Sequence, residues 1–138
     1  METVQVTPHH FGMSVSDLNA AIAWFGKVLG FELDRKEDFL AAHGIHIAFI
    51  KNGDFFIELF QHDHAQPASP ERSVPNEDIR TLGNKHMCFQ VSDMEAVLER
   101  IKANDVTIAL GPFEAAGSIA AFVLGPDGAL VEPLQLRP

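Results

Sequence analysis

The chain has 138 residues, 46% of them hydrophobic and 21% charged, with a formal net charge of -9. That is a single-domain length with enough apolar content for a real core. The acidic balance argues against nucleic acid or an anionic membrane as partner, because binding phosphate needs a basic footprint.

The opening METVQVTPHH has no basic stretch leading into an apolar run, so no signal peptide is expected. No window approaches the ~18 consecutive apolar residues of a membrane span. A cytoplasmic protein is the default expectation. His10 to Val15 is predicted as a strand, and Asp17 as the cap of the helix after it. Leu18, Ala21, Ile22, Phe25 and Leu29 form one apolar stripe of that helix, and Gly30 stops it. Strands are predicted over Phe31–Lys36, Ile45–Lys51 and Asp54–Gln61, the last two joined by a two-residue turn at Asn52-Gly53. Residues 62 to 84 read as a connector rich in Pro, Asp, Glu and Ser.

The order then repeats. Lys85–Val91 is a strand, and Ser92 or Asp93 caps a helix with Met94, Val97, Leu98 and Ile101 inward. Val106–Leu110 is a shorter strand, Ile119–Leu124 the next, and Pro126-Asp127-Gly128 turns into Ala129–Gln135. Pro133 removes a ladder N–H, which puts that strand at an edge or makes it locally irregular. The expected fold is α+β: two tandem βαβββ modules, about 8–61 and 85–136, whose curled mixed sheets form a shared cavity in one domain spanning 1–138. The single cysteine, Cys88, excludes an intrachain disulfide framework and any CxxC motif, and reads as a small buried strand residue.

Both modules open with the same phrase. His10-Phe11-Gly12-Met13-Ser14-Val15-Ser16-Asp17 and His86-Met87-Cys88-Phe89-Gln90-Val91-Ser92-Asp93 share H-x4-V-S-D, and a glutamate follows each histidine after 48 and 46 residues. These are Glu58 in FFIELF and Glu132 in ALVEPLQ. A carboxylate between phenylalanines or leucines is costly to desolvate unless it is paired or bound to a cation. Two imidazoles and two carboxylates suit a borderline divalent ion, one per site: Ni, Co, Zn, Mn or Fe. The alternative is that the histidines are ordinary strand residues and the glutamates face solvent. Strand alternation groups His10 with Gly12 and Ser14, His86 with Cys88 and Gln90, and Glu58 with Phe56 and Phe60. His9 should point away from His10. His62-Asp63-His64 reads as a solvated loop, and Arg72, Arg80 and Lys85 as surface charge.

The stretches HHFGMSVSDLNAAIAWFGKVLGFEL, GNKHMCFQVSDMEAVLERI and LGPDGALVEP resemble the vicinal oxygen chelate superfamily, which includes glyoxalase I, methylmalonyl-CoA epimerase, extradiol dioxygenases and bleomycin-binding proteins. The resemblance places the metal ligands on His10, Glu58, His86 and Glu132, closest in pattern to glyoxalase I and the epimerase. It implies an enediolate stabilised by the metal, with Glu58 or Glu132 as general base. It also implies a small oxo-acid, hydroxy-acid or thioester substrate lying against Phe56, Phe60, Ser14, Cys88 and Gln90, and a homodimer. Ser14 stands where bacterial glyoxalase I carries an arginine for glutathione, which weakens glutathione as co-substrate.

Two other functions fit the same residues. An Fe(II) extradiol-type dioxygenase would use His10, His86 and Glu132, but Glu58 then occupies a position that substrate and O2 need. A drug-binding resistance protein would not need the ligands, and all four are present.

Overall fold

Asp17 and Asp93 start the two long helices in the same way. In a computed structural model that describes residues 3–138, each aspartate is extended, at φ -140° and -145°, and accepts the backbone N–H three residues on, from Ala20 and Ala96. The first two residues of the METVQ segment lie outside the described residues. Helix α1 (Leu18–Leu29) buries Leu18, Ala21, Phe25 and Val28 and ends at Gly30, left-handed at φ 73°. Helix α3 (Met94–Ala103) buries Met94, Val97 and Ile101, while Leu98 is half-buried.

The chain divides into two compact units, one running to Gly26 and resuming over Gly30–Ala65, the other comprising Lys27–Leu29 and Gln66–Pro138. Each holds an open four-stranded mixed sheet, and the two sheets have the same connectivity. The first has the order β1-β4-β3-β2, with β1 (His10–Ser14), β2 (Glu32–Glu37), β3 (Ile45–Asn52) and β4 (Phe55–His62). The second has the order β5-β8-β7-β6, with β5 (Met87–Gln90), β6 (Ile108–Ala115), β7 (Ser118–Leu124) and β8 (Leu130–Leu136). In both, the outer first strand runs parallel to the last, and the remaining pairs are antiparallel. The expected repeat of two βαβββ modules is therefore present.

One face of each sheet belongs to the core. Ala48, Ile50, Ile57 and Leu59 are fully buried in the first sheet, and Ala121, Val123, Val131 and Pro133 in the second. Such burial stabilises by roughly 25 cal/mol per Å² of apolar surface. Strand alternation sends the residues between them to the opposite face, and that face carries the glutamates.

Several sequence expectations need correction. The β3–β4 turn is Gly53-Asp54, because Asn52 pairs with Phe55 and Gly53 at φ 58° supplies the left-handed position. Strand β6 is eight residues and not the shorter element expected, since pairing with β7 continues past register shifts to Ala115. Of the two outcomes expected at Pro133, the strand is central and not at an edge, and it is locally irregular. The missing proline N–H coincides with a gap in the β7–β8 ladder, where partners are Ala120↔Leu134 and then Val123↔Val131.

The connector is also more structured than its composition suggests. It carries a 3-10 turn at Pro70–Ser73 and a one-turn helix α2 (Pro75–Asp78). Asp78 is buried at 2% exposure, held by Arg72 Nε at 3.0 Å and Lys85 Nζ at 3.4 Å. The cations read as surface charge at positions 72 and 85 thus compensate a buried carboxylate that hydropathy does not reveal. No helix among the described residues is long and apolar enough to cross a membrane.

Candidate functional site

Each sheet builds the same half-site. In the first, Glu58 sits on central strand β4 with Gly12 of β1 as its register partner, and His10 is two residues earlier on β1, beside Phe56. In the second, Glu132 sits on central strand β8 with Cys88 of β5 as its partner, and His86 is two residues before Cys88, just ahead of a strand that begins at Met87 and is shorter than the Lys85–Val91 expected. Residues two apart on a strand share a face, so His10 and Glu58 stand on one side of the first sheet, and direct contact puts His86 beside Glu132 at the second. Phe49 and Glu58 are register partners, as are Ile47 and Phe60, so Phe49, Phe56, Ile47 and Phe60 line the first half-site.

The two halves differ in their contacts. His86 Nε2 lies 2.7 Å from Glu132 Oε2, with the glutamate side chain 13% exposed, and the His86 ring meets Phe122 edge-on at 4.7 Å between centroids. His10 meets Phe49 in the same edge-on way at 5.7 Å, but its nitrogen contact is Nδ1 to Nδ1 of His9 at 2.7 Å. His9 therefore does not point away. The strand begins only at His10, and the His9 ring turns back over Phe56, stacked at 5.9 Å. Glu58 has no side-chain hydrogen bond or ion pair among the described residues. Ser14 pairs in register with Phe60 at the end of β1, and Gln90 with Leu134 at the end of β5; both are exposed.

Cys88 is exposed, contrary to the buried residue expected, because it lies on the glutamate-bearing face of edge strand β5. Partial desolvation and the neighbouring Glu132 carboxylate, which also hydrogen-bonds it, push its thiol up to about 11. His62 and His64 are exposed, the backbone N–H of His64 donating to His62 Nδ1, while Asp63 pairs with His46 Nε2 at 2.9 Å. Arg35 was not singled out by motif. Its register with Phe49 places the guanidinium 4.0 Å from that ring's centroid, with Asp34 and Glu37 accepting its hydrogen bonds.

The donor chemistry fits a divalent cation. His86 Nε2 and Glu132 Oε2 are close enough to serve one ion with bonds of about 2.0–2.2 Å to each. The His9 contact occupies His10 Nδ1 and leaves Nε2 open, the kind of outer contact that fixes a ligating imidazole. Among the described residues no group of three or more His, Cys, Asp or Glu side chains is assembled into a metal site.

Comparison with known proteins identifies the family and the fold. Residues 7–132 match the family described as the Glyoxalase/Bleomycin resistance protein/Dioxygenase superfamily. Lactoylglutathione lyase GLX1 of Arabidopsis thaliana is 30% identical over 135 residues, covering 94% of this chain and 44% of that protein. The chain thus spans less than half the length of that relative. Lactoylglutathione lyase of Pseudomonas putida is 25% identical over 154 residues, covering 99% of this chain and 88% of the other. Among solved structures, a glyoxalase family protein of Bacillus cereus matches with a TM-score of 0.77 at 17% identity, over 100% of this chain and 99% of its own. At that identity the likeness concerns the fold alone.

Proposed function

We infer that this chain, which belongs to the glyoxalase/bleomycin resistance protein/dioxygenase superfamily, is a metal-dependent lyase or isomerase. It would move a proton between neighbouring carbons of a small oxo-acid, hydroxy-acid or thioester substrate. The observation that carries this reading is the repeated half-site, in which a histidine at the start of β1 or just before β5 stands on the same side as a glutamate of the neighbouring central strand. The names of the lactoylglutathione lyase relatives support the same class of chemistry.

In this reading His10, Glu58, His86 and Glu132 would hold one divalent ion per site, nickel, cobalt, zinc, manganese or iron. When bound, such an ion would supply Lewis-acid polarisation of the substrate. The side chains do the rest. Glu58, whose carboxylate has no hydrogen-bond or ion-pair partner among the described residues, takes the proton from one carbon and returns it to the next. The exchange is redox-neutral, and the base ends as it began. Glu132 stays against His86 as a ligand. Phe56 and Phe60, half-buried beside Glu58, restrict water at the carboxylate. Ser14 and Gln90 offer a hydroxyl and an amide to the substrate, and Cys88 a neutral thiol. The protein acts as a homodimer on a small molecule, without nucleic acid or membrane.

Proton exchange in heavy water tests this. Metal-loaded protein should exchange the α-proton of lactoyl or mandeloyl thioesters, followed by NMR. Glu58→Gln should slow it by about 10²–10⁴-fold, the usual worth of a general base. Oxygen consumption without α-proton exchange would instead indicate an Fe(II) dioxygenase built on His10, His86 and Glu132.

A further inference from the structure

A cavity of about 150 Å³ opens beside His86, wholly inside the second unit. Pro75 and Ile79 of the connector form one wall, and Leu110, Phe122 and Leu130 of the sheet form the other. Leu110 and Phe122 are register partners on β6 and β7, and the Phe122 ring is held between His86 edge-on and Phe113 stacked at 5.8 Å. Ile79 and Leu110 stay 74% and 40% exposed, an apolar rim at the mouth.

The charges on this wall are already used. Lys85 Nζ donates to the backbone carbonyls of Asp78, at 2.6 Å, and of Thr81, and it faces the Asp78 carboxylate. Arg72 Nε contacts the same carboxylate oxygen at 3.0 Å. A substrate carboxylate or phosphate entering here finds no free lysine. Asn76 and His86 complete a lining that is otherwise mainly apolar, and a space of about 150 Å³ with such walls has room for a benzene ring.

We propose that this cavity binds the uncharged apolar substituent of the substrate, of phenyl or branched-butyl size, and that the Pro75–Ile79 turn is the wall that sets its specificity. This rests on the reading of His86 as a metal ligand, since the cavity adjoins the reacting carbons only if the metal sits there. The substrate class then narrows to oxo or hydroxy thioesters and acids bearing an aromatic or branched aliphatic group. A methyl group would leave most of the space unfilled.

The test uses the full chain, without metal, with toluene and benzoate as probes. Methyl NMR signals of Ile79, Leu110 and Leu130 should shift saturably with toluene, and benzoate should bind at least tenfold more weakly. Leu110→Phe and Ile79→Phe, both at exposed positions, should each weaken toluene at least tenfold. Equal binding of benzoate, or toluene shifts that avoid these three residues, overturns the proposal. A metal titration on the same sample separates the two readings. Metal binding without toluene binding removes the cavity assignment alone; toluene binding without metal binding upholds the cavity and removes the metalloenzyme. In the loaded enzyme, kcat/KM should favour mandeloyl over lactoyl thioester by tenfold or more, and Leu110→Phe should lower that ratio.

Discussion

Glu132 Oε2 and His86 Nε2 stand 2.7 Å apart, whereas their counterparts Glu58 and His10 form no such pair. The second half-site is internally compensated without a metal, and the first is not. Removing His86 leaves a carboxylate only 13% exposed without its partner. His86→Ala should therefore cost about 1–2 kcal/mol of stability in metal-free protein. His10→Ala, at an exposed strand start, should leave the melting temperature nearly unchanged. Both variants should lose metal affinity. Calorimetry with chelator and then with added metal separates these effects.

Gln61 and Gln135 form a matched pair of devices. Each side-chain oxygen accepts the first backbone N–H of a helix, Leu18 and Met94 respectively, at 2.7 Å, and each residue lies three places after a site glutamate. Replacing either with alanine strands a part-buried N–H at a helix start. A loss of about 1 kcal/mol is expected for each, or roughly 4 °C in melting temperature for a chain of this size. Equal shifts for the two variants would show that the repeat is energetic as well as geometric.

The connector should depend on Asp78. Asp78→Ala leaves two partly covered cations without their anion, with Arg72 and Lys85 side chains 30% and 25% exposed. A loss of about 2–3 kcal/mol is expected. Limited proteolysis should cut within 66–84 sooner than in the native chain. Gly128→Ala should act in the same direction, because a Cβ there would overlap Ser73 Oγ, which donates to the Gly128 carbonyl, and because Gly128 is left-handed at φ 76°.

Cys88 gives a chemical readout of the second half-site. With its thiol at about 11 instead of 9.0, the thiolate fraction at pH 8 falls on the order of a hundredfold. Greater nucleophilicity at the higher pKa offsets part of that. Alkylation by iodoacetamide should be about tenfold slower than for an unperturbed thiol, and Glu132→Gln should accelerate it. The folded chain holds this proton more tightly than the unfolded one, so the contribution is present below pH 9 and is lost between about 9 and 11.

Periodicity and the doubled H-x4-V-S-D phrase made both modules legible, because alternation in strands and a 3.6-residue stripe in helices are written directly into residue order. Pro133 signalled the irregularity of its strand but not its central place. Its missing N–H is tolerated in a central strand because the β7 ladder has a gap there, and only the sheet order reveals that. Cys88 misled because exposure depends on which face an edge strand presents. Asp78 was invisible because its burial depends on Arg72 and Lys85 closing over it, an arrangement without sequence period. The Gln61 and Gln135 contacts span 43 and 41 residues, beyond any local capping signal, though their equal offset from Glu58 and Glu132 is a signature in retrospect.

The central claim is that His10, Glu58, His86 and Glu132 are ligands of a divalent ion, and elemental analysis of untagged protein purified without chelators tests it most directly. The account predicts about one nickel, cobalt, zinc, manganese or iron per chain, falling below a tenth of that in Glu132→Gln. Metal-free protein whose melting temperature does not rise when these ions are restored would contradict it, since a ligand that binds only the folded chain must stabilise that chain.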